Sequence, residues 1–235
     1  MRLLLLSNSK TEGKGYLEHA AEWLRDFLPA SVNEVLFVPY AGVTKTHYDY
    51  VEQVSPVFAK LGASVTGLHR AHDLVAAIRR AQAIVVGGGN TWNLLREMRA
   101  HRLLPAIRER VLAGVPYVGW SAGSNVAGPT IMTTNDMPIC DPGGFDALAL
   151  VPFQLNLHYL HGNPPGFEGE TREERIREFG VLHPDSWVTG LREGTAFRIE
   201  DRSMRLLGDA PCRIFRGTQE PRELTSADDF SFLLE

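Results

Sequence analysis

The sequence predicts an α/β fold, a mostly parallel sheet flanked by helices. Three observations lead there. Short apolar runs alternate with amphipathic stretches through the first half of the chain. Two of those runs end in glycine-rich turns that open helices. The composition, 44% hydrophobic and 22% charged over 235 residues, suits a globular core of that size. Strands alternating with helices imply right-handed crossovers, which set the strands parallel and cover both sheet faces. An α/β chain of this length often forms one unit, so a single domain spanning residues 1–235 is expected.

Residues 3–7 read as a buried strand. The run Leu3-Leu4-Leu5-Leu6 is too short for the apolar core of a signal peptide, and Asn8, Ser9 and Lys10 follow at once. Residues 16–27 form a helix with Leu17, Ala20, Ala21 and Leu24 on one face. A strand at 35–39, a helix near 48–61, a strand at 64–68, a helix near 74–81 and a strand at 83–86 continue the series. Helices at 91–99 and 104–112 precede a strand at 116–119. Residues 128–170 are rich in Pro, Gly, Asn and Asp, which predicts long loops of the kind that carry function. A charged helix at 171–179 follows. Strands at 187–191, 196–200 and 205–207 close the series, the last two as a hairpin across residues 201–203.

Composition narrows the function. Net charge is -4 and the sequence pI is about 6.1, which gives no general pull toward nucleic acid or anionic membrane. No apolar run approaches a membrane span. Cys140 and Cys212 match no metal or redox spacing and read as free thiols of a reducing, cytoplasmic compartment.

The most informative segment is Pro116-Tyr117-Val118-Gly119-Trp120-Ser121-Ala122-Gly123-Ser124-Asn125. It carries G-x-S-x-G directly after an apolar strand and before small residues able to start a helix. A nucleophile elbow needs that context. The turn is sharp, so its flanks must be small, and the serine hydroxyl then stands clear of the sheet. Val85-Val86-Gly87-Gly88-Gly89-Asn90-Thr91 follows another strand. It lacks the sixth-position glycine of a dinucleotide loop, where Trp92 stands, and Gly13-Lys14-Gly15 lacks the spacing of a phosphate loop. The better reading is a turn that donates N–H groups, with Gly89 and Ala122 forming an oxyanion hole.

A serine hydroxyl is a poor nucleophile without a positioned base. Of eight histidines, His158 is set apart because it ends the apolar run Phe153-Gln154-Leu155-Asn156-Leu157, at a strand end in the loop-rich half. His158 and His161 do not read as a metal pair, since no carboxylate stands at ligand spacing. Either Asp136, in Thr134-Asn135-Asp136-Met137-Pro138, or Glu193, in Gly190-Leu191-Arg192-Glu193-Gly194, could accept the histidine N–H and fix its tautomer.

Gly119-Trp120-Ser121-Ala122-Gly123, Gly87-Gly88-Gly89-Asn90-Thr91, Thr133-Thr134-Asn135-Asp136-Met137-Pro138 and Gly169-Glu170-Thr171-Arg172-Glu173 together resemble the S51 serine peptidases, in particular their alpha-aspartyl dipeptidases, the peptidase E group. The opening Leu-Leu-Leu-Leu-Ser-Asn-Ser and the segment from Asp141 to Leu148 fit as well, and the resemblance fades in the last forty or so residues. It implies a class I glutamine amidotransferase-like (flavodoxin-like) fold, no cofactor or metal, a homodimer, and hydrolysis of Asp-Xaa dipeptides. By motif position it makes Ser121 the nucleophile and His158 the base, and it favours Glu193 over Asp136 as the third member. It sets Arg172 against the substrate aspartate, where a guanidinium offers a bidentate fork, and places Asn90 among the substrate-binding residues. Ser124 stands where the family often has alanine, and His161 adds a histidine near the base. The rival readings are a cyanophycinase-like S51 exopeptidase acting on a polymer, an esterase sharing the elbow, and a non-catalytic binding protein on the same scaffold.

Overall fold

The computed structural model describes residues 1–166 and 168–235. In chain order it runs β1 (Arg2–Leu6), α1 (Ala21–Phe27), β2 (Glu34–Val38), α2 (His47–Ala59), β3 (Ser64–Gly67), α3 (Leu74–Arg80), β4 (Ile84–Val86), α4 (Thr91–Ala100), α5 (Leu103–Leu112), β5 (Tyr117–Trp120) and α6 (Ala122–Asn125). Then come β6 (Gln154–Leu157), α7 (Arg172–Leu182), β7 (Trp187–Leu191), β8 (Ala196–Glu200), β9 (Ser203–Leu207), β10 (Cys212–Arg216) and β11 (Arg222–Leu224).

The larger sheet has the order β3-β2-β4-β5-β1-β8-β9. Its first five strands are parallel, and β8 and β9 extend it antiparallel. Strand periodicity divides the core into two faces. Leu4, Leu6, Phe37, Val85, Val118 and Trp120 pack with α1 and α2, while Leu3, Leu5, Val38, Ile84, Val86 and Tyr117 pack with α3, α4 and α5. Leu3 to Leu6 are fully buried, so each contributes about 1.5–3 kcal/mol of hydrophobic stabilisation. That is why the leading apolar run is a central strand, sandwiched from both sides.

A second sheet, β11-β10-β7-β6, pairs β6 and β7 in parallel. Leu155, Leu157, Leu191 and Ile214 join the main core, while Val188 and Phe215 on its outer face meet Ile176 of α7. The sequence reading lacks β10 and β11. It also places the first helix too early: Leu17 turns left-handed (φ 56°) and its N–H bonds Ser9 O, so a 3-10 turn over Glu18–Ala20 precedes α1. The helix after the elbow is a single turn. The β8–β9 turn is tighter than expected, with Ser203 already paired to Glu200.

Strands β4, β5 and β1 are adjacent and parallel, so the residues just past their carboxyl ends, Gly87, Ser121 and Ser7, share one edge of the sheet. In open α/β sheets that edge is where ligands sit.

Candidate active site

The Ser121 backbone is strained, with φ 51° and ψ −118°, outside the regions open to ordinary L-residues. Its neighbours allow this. A Cβ on Gly119 would lie 2.5 Å from Gly123 O, and one on Gly123 would collide with Val86 O, so both flanks must be glycine. The Ser121 N–H bonds Leu6 O at 3.1 Å, and the buried Ser124 hydroxyl donates to the same carbonyl at 2.8 Å, tying the elbow to β1. Ser124, the departure from the family pattern, thus braces the turn.

His158 follows β6 with a left-handed backbone (φ 53°). Its N–H donates to Ser7 Oγ at 3.0 Å, and that hydroxyl donates to Leu191 O at 2.9 Å. One buried serine at the end of β1 therefore links the larger sheet to the ends of β6 and β7. The imidazole is engaged on both sides. Nε2 is 2.9 Å from Ser121 Oγ and Nδ1 is 2.7 Å from Glu193 Oε1. Glu193 lies two residues past β7, and the neighbouring Gly194 N–H donates to Asn8 Oδ1 at 2.9 Å. Its side chain is 58% exposed, so water shares this carboxylate with the imidazole.

Asp136 does not take part. Its Oδ2 accepts from the Thr91 N–H at 2.7 Å and from the Thr91 hydroxyl, and the Trp92 indole donates to its carbonyl. Both nitrogens of the His158 ring are already engaged by Ser121 and Glu193. Asp136 caps the first turn of α4, where a carboxylate is favoured. Glu193, and not Asp136, is the carboxylate set against the imidazole.

Ser121, His158, Gly88, Gly89 and Asn90 line one pocket of about 550 Å3, together with Lys45 and Tyr50. Among the described residues, no hydrogen bond within the chain occupies the N–H of Gly89 or of Ala122. The Asn90 side chain is committed to the fold: Oδ1 caps α4 through the Asn93 N–H, and Nδ2 donates to Met137 O at 2.9 Å. One amide N–H is left for a ligand. Arg172, the first residue of α7, does not line this pocket. Its guanidinium is half-buried with Nη1 unpaired, and burial lowers its pKa while the charge of Glu193 pulls it back up. His161 turns away toward Glu173, 3.6 Å from it. Among the described residues no three His, Cys, Asp or Glu side chains cluster as metal ligands.

Three residues of the site are not legible in the sequence. Ser7 reads as the tail of a strand, Tyr50 as a helix core position and Lys45 as a solvated loop lysine. Lys45 is the one lysine, arginine or carboxylate among the described residues lining the pocket. Its ammonium bonds Gln53 Oε1 at 2.7 Å and lies 4.4 Å over the Tyr50 ring.

Comparison with known proteins matches residues 3–207 to the model of peptidase family S51. The chain is 47% identical over 234 residues to a peptidase E of Nostoc sp., covering 100% of this chain and 97% of that one. It is also 47% identical over 230 residues to a peptidase E of Salmonella typhimurium, covering 98% and 100%. The alignments with these relatives extend through the last forty residues, whereas the match to the family model stops at residue 207. The fold is similar to that of a peptidase from an acI-B1 Actinobacterium, with TM-score 0.73 and 18% identity over 98% of this chain and 96% of that one.

Proposed function

The chain belongs to peptidase family S51 and is a peptidase, a hydrolase; we propose that it cleaves Asp-Xaa dipeptides through an acyl-enzyme on Ser121. The hydrogen-bonded chain from Ser121 through His158 to Glu193 is the observation that carries this reading. His158 Nε2 takes the hydroxyl proton as Oγ attacks the scissile carbonyl, and Glu193 stabilises the imidazolium that forms. The N–H groups of Gly89 and Ala122 receive the developing oxyanion. When the C–N bond breaks, Nε2 hands its proton to the leaving amine. An aspartyl ester remains on Ser121, and water repeats the cycle to release aspartate.

An Asp-Xaa dipeptide presents two carboxylates, and two cations support that preference. Lys45 gives the pocket its positive charge, and Arg172, outside the pocket lining with a buried and unpaired Nη1, is the second cation, which must turn toward the pocket to meet the aspartate side chain. Free thiols at Cys140 and Cys212 fit a cytoplasmic protein. Val181 and Leu182, exposed at the end of α7, fit a homodimer in which that face is covered.

Purified protein incubated with Asp-Leu, Glu-Leu, Ala-Leu and N-acetyl-Asp-Leu, beside Ser121→Ala, tests the proposal by release of free amino acids. Cleavage of Asp-Leu alone, abolished in the variant, is expected. Equal cleavage of Ala-Leu, or none of any, would overturn the substrate assignment.

A further inference from the structure

Tyr50 lies on α2, distant in sequence from both the elbow and the glycine turn, yet its hydroxyl is where they meet. It donates to Gly88 O at 2.9 Å, accepts from Trp120 Nε1 at 3.1 Å and accepts from the Tyr16 hydroxyl at 3.2 Å. A phenol has one proton and two lone pairs, so its hydrogen-bonding capacity is fully used. Burial pushes the Tyr50 phenol up in pKa, which keeps that donated proton in place at neutral pH. The ring is 2% exposed and fixed edge-on against Phe37 at 4.9 Å, itself stacked on Trp120.

The Gly88 carbonyl and the Gly89 N–H belong to one trans peptide and point in opposite directions. Holding the carbonyl on one side therefore aims the N–H to the other. The peptide after it is anchored by Asn90 N–H on Ala41 O, and the end of β4, two peptides before it, by Gly87 N–H on Val38 O. Between them, among the described residues, the Gly88–Gly89 peptide has a single hydrogen bond, the one from Tyr50. Two adjacent glycines leave such a peptide free to rotate. Gly89 must stay glycine, with φ 139° and a would-be Cβ colliding with Ala41 O.

We propose that Tyr50 is a positioning residue that locks the Gly88–Gly89 peptide against flipping, so that the Gly89 N–H is aimed at the oxyanion before substrate arrives. The same hydroxyl holds Trp120, the residue before the nucleophile, so donor and nucleophile are spaced from one point. This inference rests on the reading of Ser121 and Gly89 given above.

The test is Tyr50→Phe, which keeps the ring and removes only the hydroxyl. Removing a whole oxyanion donor costs roughly 10²–10³ in kcat. Loosening one is expected to lower kcat on Asp-Leu by about 10- to 100-fold with KM within threefold. Affinity for an aspartyl aldehyde, which forms an oxyanion on Ser121, should fall by the same factor, while inhibition by free aspartate is unchanged. Replacing Tyr50 alone with 4-aminophenylalanine restores an N–H donor toward Gly88, leaves its one lone pair for Trp120 Nε1 and turns its second N–H to the Tyr16 oxygen, and should recover part of kcat. It also supplies a folded comparison should the Phe variant melt early. A kcat within threefold of wild type in the Phe variant, a rise in KM alone, or no recovery with the amino variant would overturn the lock. Activity persisting in Ser121→Ala would instead sink the underlying reading, so the two failures are distinguishable.

Discussion

Replacing Glu193 with Gln isolates what the carboxylate charge does for the base. Glu193 Oε1 lies 2.7 Å from His158 Nδ1, and Oε2 has no hydrogen-bond partner within the chain among the described residues. A glutamine here can therefore turn its carbonyl oxygen to the Nδ1–H and preserve the tautomer. What disappears is the attraction between carboxylate and imidazolium. At about 4 Å between charge centres that attraction is about 1 kcal/mol in water and about 4 kcal/mol near a protein surface. With the side chain 58% exposed, a value near 2 kcal/mol follows, or about a 30-fold loss. In triads with a buried acid, amide substitution costs roughly 10⁴ because the tautomer is lost. Steady-state hydrolysis of Asp-Leu by Glu193→Gln should thus show kcat down about 30-fold and KM little changed. A loss beyond about a thousandfold would mean that the tautomer is lost as well, and unchanged kcat would remove Glu193 from the mechanism.

Three other predictions separate the site from its scaffold. Asp136→Ala should lower unfolding free energy by about 1 kcal/mol, read by urea denaturation, because the start of α4 loses its cap. Its kcat should fall less than that of Glu193→Gln. Lys45→Met should raise KM for Asp-Leu about fivefold with kcat unchanged, the effect of about 1 kcal/mol from an exposed ammonium. A fall in kcat alone would place Lys45 in catalysis. Glu223 is held below the usual glutamate pKa first by its hydrogen bonds from Arg192, at 2.8 Å, and then by Arg213. The folded state therefore binds fewer protons than the unfolded one. The stability from this cluster is present above about pH 4.3 and fades as pH falls through the folded value. Thermal melts across acid pH should show a smaller acid loss in Glu223→Gln than in wild type.

The sequence makes the parallel strands legible because they are buried on both faces and read as continuous apolar runs, Leu3 to Leu6 above all. The elbow is legible because its constraint is local: Gly119 and Gly123 sit within two residues of Ser121. His158 stands out by ending an apolar run. Strands β10 and β11 are not legible, because Arg213, Arg216, Arg222 and Glu223 interrupt them: Arg213 and Glu223 pair with each other and, respectively, with Glu173 and Arg192, while Arg216 and Arg222 lie over the Trp187 ring. Asp136 resembles a triad acid until the structure sets it on Thr91, 45 residues earlier in the chain. Tyr50 follows the amphipathic pattern of α2, and nothing local distinguishes a packed tyrosine from one whose hydroxyl joins two turns.

Rapid acid quench of the enzyme with excess Asp-Leu, followed by mass spectrometry of the digested chain, bears most directly on the central claim. The account predicts an added aspartyl group on the peptide containing Ser121, appearing before steady state and missing in Ser121→Ala. Full turnover in wild type with no adduct at Ser121, together with undiminished hydrolysis by Ser121→Ala, would contradict it.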